Sequence, residues 1–136
     1  MTTDEMKQKA KELVLNAGQG NIEAVAGMIS EDFTLEQMVR EGQGVYSAAG
    51  TFYDRATYLG FLAVVKELTR TGMNMRFDKA LAEGEEVALF GRSDALAPSG
   101  RLYRNAYCWL IRFRDGRAIS MQEYYDTALG KALLEG

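Results

Sequence analysis

The residue pattern predicts an α+β fold: a curved antiparallel sheet with helices packed on one side of it. Two observations carry that expectation. Apolar residues recur every three or four positions through the first half of the chain and then switch to alternation. Within the second half, residues 103–127, YRNAYCWLIRFRDGRAISMQEYYDT, read as two long strands joined at Asp115-Gly116, a dipeptide that tolerates the positive φ of a tight hairpin turn. Helices followed by strands imply an antiparallel sheet with its helices segregated to one face, and parallel pairing is not expected. Such a sheet can curl around a cavity, so the polar residues of its concave face are where chemistry is sought.

The elements follow in order. Thr2 and Glu5 have capping-box spacing, and Met6, Ala10, Leu13, Val14 and Ala17 then repeat at helical intervals until Gly18. Asn21 is placed to cap a shorter helix with Ile22, Val25, Ala26 and Ile29 on one face. Residues 32–38, DFTLEQM, read as a short strand, although several of them also favour helix. The glycine-rich segment 40–51, REGQGVYSAAGT, is a loop that, with Val45, Tyr46 and Phe52, suits a lid over a pocket mouth or an ordinary surface connection. Asp54 opens a third helix with Tyr58, Phe61, Leu62, Val65 and Leu68 on its apolar face, ending at Thr71-Gly72 and lying across the sheet. Met73, Met75 and Phe77 then alternate, Glu83-Gly84-Glu85 turns the chain, residues 87–96 form a strand, and Pro98, Ser99 and Gly100 mark the next turn. The tail ALGKALLEG adds a last helical turn.

Composition narrows the function. A chain of 136 residues suits one domain, residues 1–136, and no stretch is apolar for long enough to span a bilayer. The start of the chain lacks the basic and then apolar order of a signal peptide, so a cytoplasmic location and no membrane partner are expected. The single cysteine, Cys108, excludes an internal disulfide and reads as a buried, inert thiol. There is no histidine, which removes Ser-His and Cys-His nucleophilic systems and most zinc sites, and no metal site is expected. Acid–base work then falls to carboxylates, tyrosines, lysines or bound water. A net charge of -3 argues against sequence-independent nucleic-acid binding, which needs a basic face. Small molecules and protein partners remain.

Side chains alternate between the faces of a strand, so parity sorts the candidates. Tyr103, Asn105, Tyr107, Trp109, Ile111 and Phe113 share one face, and Ile119, Met121, Glu123 and Tyr125 of the next strand read as facing the same interior. Glu123 is the carboxylate of interest. On the preceding strand Ala88, Phe90, Arg92 and Asp94 fall together, so Arg92 and Asp94 can pair or jointly reach a third group, or else form a solvated edge pair. The opposite set, including Leu102, Ala106, Cys108 and Leu110, suits either a sheet-mediated dimer interface or burial under a helix.

The order of elements, the run G-x-x-Y-x-N-x-Y at 100–107 and the ending F-x-D-G-x-x-x-x-x-x-E-Y-Y-D-T at 113–127 resemble the SnoaL-like group of the nuclear transport factor 2 superfamily, over nearly the whole chain. The resemblance implies a cone: a strongly curved sheet around an apolar pocket, closed by helices, often in a homodimer. Arg92-Ser93-Asp94 and Glu123-Tyr124-Tyr125-Asp126 are also similar to the R-x-D and acid-Tyr-aromatic-Asp patterns of limonene epoxide hydrolase-like enzymes. That similarity implies Asp94 as base activating water, Glu123 as acid toward the epoxide oxygen and Arg92 bridging them. The chain departs from those enzymes in having Glu for the last Asp, and Leu35 and Gln37 where they hold water with Tyr and Asn.

The functional expectation is thus a cofactor-free acid–base enzyme acting on a small apolar oxygenated molecule in the cone pocket. Arg92, Asp94 and Glu123 are the catalytic candidates, and Gln37, Asn105, Tyr107, Tyr103, Trp109, Phe90 and Met121 the pocket candidates. Epoxide hydrolysis and isomerase- or polyketide cyclase-type proton shuttling, the latter with Tyr107 or Tyr103 at the oxyanion, both remain open. The alternative is a non-catalytic module of the same fold that binds a ligand or a partner protein.

Overall fold

In the computed structural model, which describes residues 1–37 and 52–134, the chain runs α1 (Thr3–Gly18), α2 (Ile22–Met28), β1 (Ile29–Gln37), β2 (Phe52–Asp54), α3 (Arg55–Leu68), β3 (Arg76–Glu83), β4 (Glu86–Leu96), β5 (Leu102–Arg114), β6 (Arg117–Tyr125) and α4 (Thr127–Leu134). The expected lid at 40–51 lies outside the described residues, while Phe52 is an exposed residue of β2. The capping box forms as expected: Thr2 Oγ1 accepts from the Glu5 amide, and Glu5 Oε1 accepts from the Thr2 amide. Asp54 Oδ1 likewise accepts from the Thr57 amide at 2.8 Å and starts α3. Asn21 does not cap α2 with its side chain, whose Nδ2 instead donates to Asn16 Oδ1. Helix α3 stops at Leu68, earlier than expected, because Thr69 is already extended.

The sheet is curved and unclosed, with strand order β2-β1-β6-β5-β4-β3. All neighbours are antiparallel except β1 and β6, which run parallel, so the sheet is mixed where a wholly antiparallel one was expected. No short turn has to join that pair, since most of the chain lies between them; long connections are what parallel neighbours require. The β5–β6 turn has positive φ at both Asp115 (52°) and Gly116 (82°), the geometry of a type I′ hairpin.

The pairing also shifts register between Ile29 and Thr34 where β1 meets β6, and two bulges elsewhere re-aim side chains. Between β3 and β4 the pairing steps from Phe77↔Gly91 to Lys79↔Phe90, leaving Asp78 as the extra residue. Between β5 and β6 it steps from Arg112↔Ser120 to Phe113↔Ala118, leaving Ile119 extra. The fully buried inner position is therefore held by Ala118, and Ile119 does not continue the inward column expected of it. On β4 the inner column is Val87, Leu89, Gly91, Ser93 and Ala95; Phe90, 38% exposed, faces the other way.

Helix α1 packs over β3 and β4 and α3 over β1 and β2, and the two helices touch each other. The core lies between them and the inner face, with Leu13, Val25, Phe33, Leu89, Trp109 and Ile111 among its most buried side chains. The outer face carries exposed Leu102 and Tyr124 and a half-buried Cys108, so Leu102 is not covered by a helix of the described residues. What burial Cys108 has pushes its thiol pKa up, away from the reactive thiolate. Among the described residues no helix is long and apolar enough to cross a membrane.

At Gly91 the sheet leaves no room for a side chain. A Cβ there would lie 2.5 Å from the Arg76 carbonyl oxygen and 3.2 Å from Cζ3 of Trp109. Backbone cannot yield as a flexible side chain does, so Gly91→Ala is expected to destabilise the protein by about 1–3 kcal/mol. A drop in the urea midpoint checks this; an unchanged midpoint contradicts it.

A candidate active site around Glu123

Strand register assembles the site. Glu123 on β6 is flanked at its own level by Gln37 on β1 and by Trp109 on β5. Both neighbours carry N–H donors, and both use them: Trp109 Nε1 donates to Glu123 Oε2 at 2.9 Å and Gln37 Nε2 donates to Oε1 at 3.1 Å. Tyr53, opposite Leu35 on the next strand, donates its hydroxyl to Gln37 Oε1 at 3.3 Å. Each oxygen of the carboxylate thus has one donor, and the amide that supplies one of them is itself held.

This carboxylate faces a half-open cavity of about 110 Å³. Its walls are mostly apolar: Leu35, Phe61, Leu62, Val65, Met73, Met75 and Met121, drawn from both the helices and the sheet, with Gly130 and Leu133 of α4 at one end. Tyr58, Tyr103, Tyr107, Trp109 and Tyr125 add aromatic surface. A cavity of about 150 Å³ takes up benzene, so this one admits a small ring or branched molecule, and a larger one only by extension through its mouth. Among the described lining residues Glu123 is the one carboxylate, and none is Lys or Arg.

A second polar group lies on β4 and β5. Tyr107 Oη is 3.1 Å from both Ser93 Oγ and Tyr103 Oη. Asn105 orders these hydroxyls: its Nδ2 donates to Tyr103 Oη at 2.8 Å and its backbone amide donates to Ser93 Oγ at 3.2 Å. The same side chain grips the start of α4, with Nδ2 donating to the Asp126 carbonyl and Oδ1 accepting from the Asp126 amide. The ring of Tyr107 stacks on Trp109 with centroids 4.9 Å apart and planes within 10°.

Of the expected site residues, Glu123, Gln37, Tyr103, Tyr107, Trp109 and Met121 line the cavity, and buried Asn105 supports it from behind. Arg92, Asp94 and Phe90 do not reach it. They project from the outer face of β4, where Arg92 pairs with the bulged Asp78 at 2.7 Å and Asp94 with Arg104 at 3.2 Å. Both pairs are largely exposed, the kind that contributes little to stability. The expected Arg92 bridge from Asp94 to Glu123 is thereby replaced by two separate surface pairs. Tyr53, Tyr58 and Ser93 were not anticipated; Ser93 carried a signal, since it shares parity with the apolar Val87 and Leu89. Among the described residues no group of three or more His, Cys, Asp or Glu side chains is gathered to hold a metal ion.

Burial sets the electrostatics. It raises the Glu123 pKa above the ordinary carboxylate value, while the Trp109 and Gln37 donors pull the other way. Burial also pushes the hydroxyls of Tyr58, Tyr103 and Tyr107 up, and the charge of Glu123 adds to each. These tyrosines are therefore proton donors in hydrogen bonds, not phenolates.

Because the folded carboxyl holds its proton more tightly than the unfolded one, its contribution to stability is complete at low pH and is lost as pH rises from the unfolded glutamate value to the folded one. Urea midpoints measured from about pH 4 to about pH 8 should show that loss, and Glu123→Gln should remove it. Trp109 is the only tryptophan, so its single indole N–H resonance should titrate with a midpoint above the usual glutamate range. A midpoint within that range would contradict the assignment.

The sequence profile of the SnoaL-like domain matches residues 11–121. No curated protein matches the chain. Among solved structures, the chain is similar to an NTF2-like protein of unknown function from Burkholderia pseudomallei, with a TM-score of 0.78, 18% identity and 100% of each chain covered. It is also similar to IdmH from Streptomyces antibioticus, described as a candidate polyketide cyclase, with a TM-score of 0.75, 19% identity and 96% of this chain and 99% of that one covered. A third is a hypothetical protein of ketosteroid isomerase-like fold from Catenulispora acidiphila in complex with trimethylamine, with a TM-score of 0.70, 17% identity and 87% and 85% covered. At such identities the structural likeness speaks to the fold, and the profile match speaks to the family: the chain belongs to the SnoaL-like domain family.

Proposed function

We propose that this protein is a cofactor-free acid–base enzyme of the isomerase or cyclase kind, moving a proton beside the carbonyl of a small apolar molecule held in the cavity. The observation that carries the reading is Glu123, a carboxylate with a donor on each oxygen, facing an apolar cavity in which no second carboxylate stands among the described residues. Epoxide opening by two acids sharing an arginine is disfavoured, because Arg92 and Asp94 lie on the other face of the sheet. The relative described as a candidate polyketide cyclase fits the same chemistry.

The residues divide the work. Glu123, as base, takes a proton from the carbon next to the carbonyl, and the electron pair of that C–H bond passes into an enolate. Asn105 donates to both Tyr103 and Ser93, so each has its own proton to pass to Tyr107. The Tyr107 O–H is then left to donate to the enolate oxygen. Tyr107 and Glu123 are diagonal neighbours on paired strands and both line the cavity, so a carbonyl and its α carbon can lie between them. In isomerisation Glu123 returns the proton to another carbon. In cyclisation the enolate carbon attacks a second carbonyl, and the proton goes to the new alkoxide.

A second reading, binding without chemistry, is favoured by the absence of any Lys or Arg among the described lining residues and by the trimethylamine held by one structural relative. A small alkylammonium ion would balance the Glu123 charge against aromatic walls.

Exchange of α hydrogens with D2O across a panel of small ketones, read by mass spectrometry, tests the first reading. Glu123→Gln is expected to lower the rate about a thousandfold and Tyr107→Phe about a hundredfold. Full exchange by Glu123→Gln removes Glu123 from the mechanism. Saturable trimethylamine binding that Glu123→Gln abolishes, with no exchange of any ketone, would favour the second reading.

A further inference from the structure

We propose that Tyr53, which does not line the cavity, is a positioning residue for Glu123: its hydroxyl holds the Gln37 amide in whichever orientation the protonation state of Glu123 demands. This rests on Glu123 as the proton-transfer group.

A base must pick up a proton and release it again, so its neighbours must satisfy two states. With Glu123 ionised, Oε1 accepts from Gln37 Nε2, and the amide oxygen of Gln37 accepts from the Tyr53 hydroxyl. With a proton on Oε1, the acid is a donor, and Gln37 meets it by turning its amide through half a turn and offering its oxygen. Nε2 then points at Tyr53, whose hydroxyl can accept as well as donate. An amide and a hydroxyl in series therefore keep both contacts of the relay, Glu123 with Gln37 and Gln37 with Tyr53, in either state. Trp109 cannot do this, because an indole nitrogen only donates; the adjustable side of the carboxyl is the Gln37 side.

The placement suits this role. Gln37 and Tyr53 are each 4% exposed, so an unpaired amide there would not be rescued by bulk water. The Tyr53 ring is fixed edge-on against Phe61, with centroids 5.4 Å apart, and its strand pairs directly with that of Gln37. Among the described residues, the titratable groups that share the cavity with Glu123 are Tyr58 on α3, Tyr103 and Tyr107 on β5, and Tyr125 on β6; α1 and α4 contribute only apolar or glycine lining residues. Burial holds the Tyr58, Tyr103 and Tyr107 hydroxyls protonated far above the range where the carboxyl titrates, so a shift in the Glu123 midpoint reports on its hydrogen-bond partners.

The test uses the full chain and needs no substrate. The Trp109 indole resonance is followed against pH in the native protein, Tyr53→Phe, Gln37→Met and the double variant. Removing the hydroxyl costs the ionised state more, since a charge-assisted bond draws most on a polarised donor. Tyr53→Phe, which keeps the ring, should therefore raise the midpoint by about half a unit to one unit. Gln37→Met should raise it further, and adding Tyr53→Phe to Gln37→Met should change nothing more, because the tyrosine acts through the amide. An unshifted midpoint in Tyr53→Phe, or a Tyr53→Phe shift that persists undiminished without Gln37, overturns the proposal. Should Gln37→Met fail to fold, the Tyr53→Phe titration alone decides between a raised and an unshifted midpoint. Failure of the enzyme reading would look different: the couplings would hold while Glu123→Gln kept its exchange activity.

Discussion

Glu123, the one carboxylate among the described residues that line the cavity, is the constraint around which this molecule is arranged. Left alone in an apolar cavity, the Glu123 side chain would be neutral and without function as a base; given donors on both oxygens, it stays ionisable. Those donors arrive from both neighbouring strands at one level of the sheet, so the parallel β1–β6 pairing and the antiparallel β5–β6 pairing must both be in register for the site to exist. The fold and the chemistry are therefore specified by the same ladder. Gly91 serves that ladder at one remove, by leaving the Trp109 ring room to lie where its N–H meets the acid.

Much of this was legible in the residues. The capping box at Thr2, the Asp54 cap, the turn at Asp115-Gly116 and the inward column of β5 all formed as read, because each depends on local chemistry or on a strict two-residue period. Errors came where neither applies. On β4 both faces carry apolar residues, and the inner column narrows to Gly91, Ser93 and Ala95 beside the cavity. Small residues such as Gly91 leave room for Trp109, but they weaken the hydrophobic signal that would identify the inner face. Phe90 and its outward neighbours Arg92 and Asp94 were misplaced for that reason. Ile119 was misplaced by a bulge, which no alternation reveals.

The candidate site divides along the same line. Glu123, Tyr107 and Trp109 lie on the hairpin and could be placed from the chain's own periodicity. Tyr53 is brought in by the pairing of β2 with β1, and nothing in its immediate neighbours announces a polar role, whereas Ser93 was legible only through its parity with Val87 and Leu89. The parallel β1–β6 contact is likewise non-local, which is why Gln37 could be named as a candidate but its bond to Glu123 could not.

Asn105 has a consequence for how the chain can vary in length. All four of its side-chain hydrogen-bonding positions are used, two of them on the backbone of Asp126, one on the Ala106 amide and one on Tyr103. The interval from Glu123 to Asp126 is thereby gauged between two fixed points, the Trp109 indole at one end and the Asn105 amide at the other. A residue inserted there would twist either the acid out of the cavity or the last helix off its seat. The opposite end of the same hairpin has no such gauge, for nothing crowds the space beside Gly116. Insertions in this hairpin are thus better tolerated at its tip than at its root.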